Sequence, residues 1–242
     1  MVPPYAGRRC GLTRLTLVVA VALSAACARG GPARRLPADG GAPLLYVALG
    51  DSTVEGIGAT SSSTTYVAQI HRRLRTRYPG TRAVNLGAGG ATSADVVANQ
   101  LDRAVKLDPQ LVTLSIGPND ITTRVPVAEY ERNVDAIFSR LAAGTRAVVV
   151  ANLLPDLAVT PRFRAHEAKP AVARLTVEFN AALARQGRRH GVELVDLYGP
   201  SQAEVPAQPE LISRDGYHPS DAGYARWAEL VWAGVERRLG RP

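Results

Sequence analysis

"LLYVALGDSTVEGIGA" (Leu44–Ala59) holds a strand in its first half and a candidate reactive group in its second. Leu44 to Gly50 form an uninterrupted apolar run of strand length. A run that does not alternate with polar residues marks a strand covered on both faces. Asp51 and Ser52 end it, with Gly56 and Gly58 close behind. On its own, a serine in this place reads as a turn residue or the N-cap of the next helix. Whether Ser52 is more than a cap depends on what other segments reach the same point.

The pattern repeats along the chain. "TYVAQIHRRLRTRY" has helical period and leads to "RAVNLG"; "SADVVANQLDRAVKL" leads to "LVTLSIG"; "VAEYERNVDAIFSRLAAG" leads to "RAVVVANLL"; "PAVARLTVEFNAALARQGRRHG" leads to "VELVDL". A last helical stretch, "SDAGYARWAELVWAGVERRL", closes the chain. Five apolar strands separated by helices predict an α/β fold, a parallel sheet with helices on both faces. Right-handed crossovers make it a three-layer α/β/α sandwich.

Composition narrows the classes. The 242 residues suit one α/β domain with a full core, and 46% of them are apolar. The net charge of +8 is almost entirely arginine, with Lys106 and Lys169 the two lysines. Arg72, Arg73, Arg75 and Arg77 share one helical stretch, Arg188 and Arg189 end another, and Arg237, Arg238 and Arg241 lie at the C-terminus. Such scattered positions read as solvated helix faces. Only 5% of residues are aromatic, against the basic stripe with interleaved aromatics of a nucleic-acid site. Cys10 and Cys27 precede the domain, and neither C-x-x-C nor H-E-x-x-H occurs, so the usual zinc signatures are absent.

The N-terminus reads as an address. Arg8, Arg9 and Arg14 precede the 12 residues from Leu15 to Ala26. A spanning helix needs ~20 apolar residues, so residues 1–27 read as a secretory signal, the alternative being an N-terminal anchor that stays attached. "LSAAC" resembles a bacterial lipobox in which Cys27 becomes the lipidated N-terminus, although Ser24 stands where leucine is usual. "ACA" also suits ordinary cleavage. Residues 28–43, rich in Gly, Pro and Arg, read as a flexible tether, and 44–242 as the domain.

Four conspicuous loops follow strands or precede the last helix: "GDS", "GAGG", "GPND" and "DGYHPSD". Ligands of parallel sheets sit outside the carboxyl ends of the strands, so these loops can converge. An ester-cleaving serine needs a base, a group to orient the base, and donors for the oxyanion. His218, three residues after Asp215 with Gly216 between, is the candidate base; the plainer reading is a surface turn. His71, His166 and His190 lack this arrangement and read as structural or solvated. "LGAGG" meets neither phosphate-loop pattern, but its Gly90 N–H can face an oxyanion. Asn119 of "GPND" is either a second donor or a turn former.

Together, "GDSTVEG", "NLGAGGATS", "GPND" and "DGYHP" resemble the motif blocks of the SGNH hydrolases, the GDSL esterase/lipase family, from Leu44 to about Leu239. The resemblance implies a flavodoxin-like five-stranded parallel sheet. It also implies Ser52 as nucleophile, His218 as base and Asp215 as its orienting carboxylate. The Ser52 N–H, the Gly90 N–H and the Asn119 amide would be the oxyanion donors, and Asp51 and Asp120 would shape loops. No G-x-S-x-G elbow occurs, which separates the chain from the α/β-hydrolases. The activity the resemblance implies is hydrolysis of a short acyl ester, a lysophospholipid or an acetylated sugar, with no metal or cofactor required. Acyl transfer to a carbohydrate and a non-catalytic binding lipoprotein are the alternatives; a flavodoxin-like nucleotide binder stands further off. The loops "LLPDLAVTPRFRAHEAKP" and "YGPSQAEVPAQPELIS", whose course the pattern does not give, decide the acyl and alcohol groups.

The export reading has a direct check. Mass spectrometry of the protein from its native host should find an N-terminus at or just after Cys27, with a diacylglyceryl mass on Cys27 distinguishing the lipoprotein route. An exported protein that retains Met1–Ala26 would contradict it.

Overall fold

The computed structural model describes residues 34–240, together with Met1. The signal-type segment, Cys10 and Cys27 lie outside the described residues. Five strands, β1 (Leu45–Gly50), β2 (Arg82–Asn85), β3 (Leu111–Ser115), β4 (Val148–Asn152) and β5 (Glu193–Val195), form one parallel sheet in the order β2-β1-β3-β4-β5. β1 and β3 lie inside the sheet, and every residue of β3 is buried, as unbroken apolar runs require. β2 forms one edge and is half-exposed.

Two apolar clusters lie on the two faces. On one, α2 (Tyr66–Arg77) and α9 (Asp221–Arg237) cover Tyr46, Ala48 and Val150 with Ile70, Leu74, Tyr224 and Val231. On the other, α4 (Leu101–Leu107), α6 (Val127–Gly144) and α7 (Lys169–Arg189) cover Val47, Leu49, Val112 and Leu114. Successive residues of β1 therefore alternate between two cores, which is why its sequence is apolar throughout. This is the expected three-layer α/β/α sandwich.

Three α-helices were not evident from the pattern, and a stretch expected as one continuous helix, Ser93–Leu107, is interrupted. α1 (Ser52–Glu55) and α5 (Pro118–Thr122) are single turns. α3 (Ser93–Asp95) runs through a π-helical turn, Val96–Gln100, into α4. α8 (Tyr198–Ala207) falls within a segment whose course the sequence left open. It has little amphipathic character and carries Pro200 and Pro206, so neither periodicity nor propensity signals it.

The tether reading of 28–43 needs correction in its second half. Leu36 is 2% exposed, and its N–H donates to Arg238 O at 2.8 Å. Arg34 donates to Ala142 O and Thr145 O at the C-terminal end of α6, at 2.7 and 2.9 Å. Carbonyls left open at a helix C-terminus are good partners for a guanidinium. One leucine and one arginine thus fix a stretch whose composition reads as flexible.

Candidate active site

Ser52 sits where β1 must turn sharply. Gly50 has φ +143°, and a Cβ there would lie 1.9 Å from Ser115 O on the neighbouring strand, so only glycine fits. Asp51 then N-caps α1: its Oδ1 accepts from Thr53 N at 2.9 Å and Thr53 Oγ1 at 2.8 Å. The cap is Asp51, not Ser52, which opens the helix at its first position with its N–H facing no acceptor among the described residues. Gln100 holds the turn from beneath. Its Oε1 accepts from Gly50 N at 2.9 Å and its Nε2 donates to Gly50 O at 2.8 Å. Gln100 is 4% exposed and ends the π-helical turn. Pattern reading missed it because a mid-helix glutamine carries no motif; an otherwise polar residue on the buried side of the stretch was its only signal.

His218 comes from the loop before α9. Asp215 shapes that loop: its Oδ1 accepts from Ser213 Oγ, Tyr217 N and His218 N at 2.8, 2.8 and 2.9 Å. Its Oδ2 accepts from His218 Nδ1 at 2.5 Å, which assigns that ring proton and leaves Nε2 as acceptor. Ser52 Oγ then donates to His218 Nε2 at 2.8 Å. Partial burial alone would raise the Asp215 pKa, but the bonds from His218, Tyr217 and Ser213 outweigh it and hold the carboxyl well below the usual range. Asp215 is therefore ionised throughout the neutral and mildly acid range.

The two loops are tied together independently of this chain. Asp221 Oδ1 accepts from Thr60 N at 2.9 Å and Thr64 Oγ1 at 2.6 Å, and Tyr224 Oη donates to Ile57 O at 2.6 Å. Gly58, with φ +93°, leaves the space that His218 and Pro219 occupy. Ser220 caps α9. Among the other histidines, His190 bonds Asp135 at 2.7 Å, His71 bonds Thr81 O at 3.1 Å, and His166 Nδ1 accepts from Ala168 N at 3.0 Å. None of these bonds involves Ser52.

The Gly90 and Asn119 loops are neighbours. Asp120, fully buried, accepts from Ser93 N at 3.0 Å and from Ser93 Oγ at 2.5 Å, and Asn133 donates to the same hydroxyl. Asn119 Nδ2 donates one N–H to Ala91 O at 2.9 Å. The amide's second N–H and the Gly90 N–H have no acceptor among the described residues. Gly89 N, in turn, donates to Glu55 Oε2 at 2.6 Å, joining this loop to α1. Asp51 and Asp120 each accept hydrogen bonds that fasten these loops.

A model of the GDSL-like Lipase/Acylhydrolase family matches residues 48–226. The chain belongs to this family. By family it is a GDSL-type carboxylic ester hydrolase. It is 30% identical over 221 residues to the GDSL-like esterase Rv1075c of Mycobacterium tuberculosis, covering 87% of this chain and 67% of that one. LAE5, an alpha/beta hydrolase enzyme from the metagenome of Lake Arreo, is 25% identical with a TM-score of 0.66 over 81% of this chain and 97% of its own. Axe2, an acetylxylan esterase from Geobacillus stearothermophilus, shares the fold at a TM-score of 0.66 and 19% identity, over 81% of this chain and 96% of its own. Among the described residues no group of three or more His, Cys, Asp and Glu side chains is placed to hold a metal ion.

The buried Asp51 gives this GDSL-type site a signature in stability. Burial pushes its carboxyl up to about 6, against the hydrogen bonds from Thr53, and its Oδ2 has no partner. The unfolded value is ~3.9. Its contribution is thus fully present below pH ~4 and is lost as pH rises through about 6, by at most ~3 kcal/mol. Asp51→Asn keeps the capping acceptor and removes the titration. Calorimetry should find the variant gaining on the parent protein in melting temperature between pH 4 and pH 7. A gap that does not change with pH would show that Asp51 is not the titrating group.

Proposed function

We propose that this hydrolase cleaves carboxylic esters through an acyl-enzyme on Ser52. The observation that carries the reading is the continuous bond path from Ser52 Oγ to His218 Nε2 and from His218 Nδ1 to Asp215 Oδ2, at 2.8 and 2.5 Å. Such a path does what an isolated serine cannot. As Oγ attacks the ester carbonyl, its proton passes to Nε2, and the imidazolium formed is stabilised by ionised Asp215. The Ser52–carbonyl bond forms and the tetrahedral oxygen takes the charge. The bond to the alcohol then breaks, and the alcohol leaves with the proton from Nε2. Water, deprotonated by the same nitrogen, cleaves the Ser52 ester and restores the enzyme.

The oxyanion donors in this reading are the Ser52 N–H, the Gly90 N–H and the Asn119 amide. The open N–H groups of all three support it. The bond from Asn119 to Ala91 O supports a pre-set amide, one that need not be ordered during the reaction. The export reading belongs to the same proposal: the hydrolase acts outside the cytoplasm, secreted or held by lipidated Cys27.

Kinetics of purified variants test the roles. Ser52→Ala and His218→Ala should each abolish nearly all turnover of an activated acetyl ester, and the double variant should be little worse than either, because the two act as a unit. Asn119→Ala should lower kcat by ~10²–10³ with a smaller change in KM. Asp215 should put no acid limb on the kcat/KM profile in the neutral and mildly acid range, because its hydrogen bonds hold it ionised. Additive losses in the double variant, or kcat unchanged in Asn119→Ala, would contradict these assignments.

A further inference from the structure

A largely apolar pocket opens beside Ser52 and His218 and runs between α8, α9 and the segment after β4. Its walls are Leu157, Leu197, Leu211, Trp227 and Leu230, of which the first four are at most 8% exposed. Both segments whose course the sequence left open supply lining residues, among them Pro155 and Thr160 from one, Pro200 and Val205 from the other. The polar groups along it are mostly committed elsewhere. Asp156 accepts from Ala158 N and Gln202 Nε2, Thr160 Oγ1 donates to Leu157 O, and Ser201 Oγ donates to Tyr198 O. Glu204 of α8 and Arg226 of α9, both lining the pocket, join the two helices through bonds of 2.7 and 2.9 Å.

We infer that this pocket receives the acyl chain of the substrate, a linear aliphatic chain of medium length; the inference rests on the acyl-enzyme reading above. Three observations carry it. The pocket starts at the nucleophile, where the acyl carbon is held. It is lined by hydrocarbon, and burial of methylenes is its main source of affinity. Two polar groups on its wall residues, Tyr217 Oη and Trp227 Nε1, are buried without partners, too few to satisfy the hydroxyls of a sugar ring. The acyl group must also stay while the alcohol leaves and water enters, so a walled pocket suits it better than the departing alcohol. A cavity of about 90 Å³ has room for about six to nine methylene-sized groups, taking 10–15 Å³ for each water-sized one.

The full chain assayed on p-nitrophenyl esters from acetate to dodecanoate tests this. Each methylene from acetate onward should raise kcat/KM up to about fourfold, the factor equivalent to about 0.8 kcal/mol, levelling or falling beyond about six to nine carbons. Leu230→Trp and Val205→Trp enlarge half-buried wall residues. Each should lower the octanoate-to-acetate ratio of kcat/KM tenfold or more. A second arm fixes the acid as acetate and lengthens the alcohol; length dependence there instead would place the alcohol in the pocket and overturn the inference. So would a profile highest at acetate, or ratios unchanged in both variants. Should both variants lose acetate turnover through misfolding, inhibition of the parent protein decides: octanoate should compete at least tenfold better than acetate, and equal inhibition would overturn the proposal. Ser52→Ala separates the two readings. An inactive Ser52→Ala beside a flat chain-length profile refutes the pocket alone, whereas an active one refutes the acyl-enzyme as well.

Discussion

The bond between Ser52 Oγ and His218 Nε2 joins residues 166 positions apart, one after the first strand and the other before the last helix. Neither segment can hold such a contact by itself. The sheet carries Ser52, because β1 is paired on both sides and its last residue, Gly50, is pinned by Ser115 and Gln100. The helix layer carries His218, because Ser220 caps α9 and α9 packs on the sheet. The bonds from Thr60 and Thr64 to Asp221, with that from Tyr224 to Ile57, then set the distance between the two. A parallel sheet makes this meeting possible: all its strands end on one edge, so loops far apart in sequence come together there.

Carboxylates do a large share of the positioning. Asp51 caps α1 under Ser52, Asp120 binds Ser93 and so fastens the Asn119 turn to the Gly90 loop, and Asp215 folds the His218 loop around itself. Burial raises the pKa of Asp51 and Asp120, while Asp215, more exposed and richer in donors, is lowered. In two places burial disfavours the charged form of the same residue type, and in the third hydrogen bonds favour it. Environment, not identity, separates the roles.

Much of this was legible in the sequence for reasons that can be named. Unbroken apolar runs such as Leu44–Leu49 identified buried parallel strands, and Gly, Pro, Asn and Asp clusters at their ends marked the loops. D-x-x-H spacing anticipated the Asp215–His218 bond because a carboxylate and an imidazole three residues apart on a turn are within reach of each other. What stayed hidden depends on tertiary contact. Gln100 matters through its fit to Gly50, which no local pattern records. Helix α8 forms despite two prolines because its Ser201 is buried and its Glu204 pairs with Arg226. The segment 34–43 looked like a tether because composition cannot show that Leu36 finds a pocket or Arg34 a helix end.

The whole mechanism rests on Ser52 carrying the acyl group. Mass spectrometry after reaction with a fluorophosphonate reads this out, since the reagent traps a serine activated by a neighbouring base. One adduct is expected, on the peptide containing Ser52, formed at a rate that falls when His218 is replaced by alanine and absent in Ser52→Ala. An adduct on another serine, or labelling of Ser52 at the same rate without His218, would contradict it.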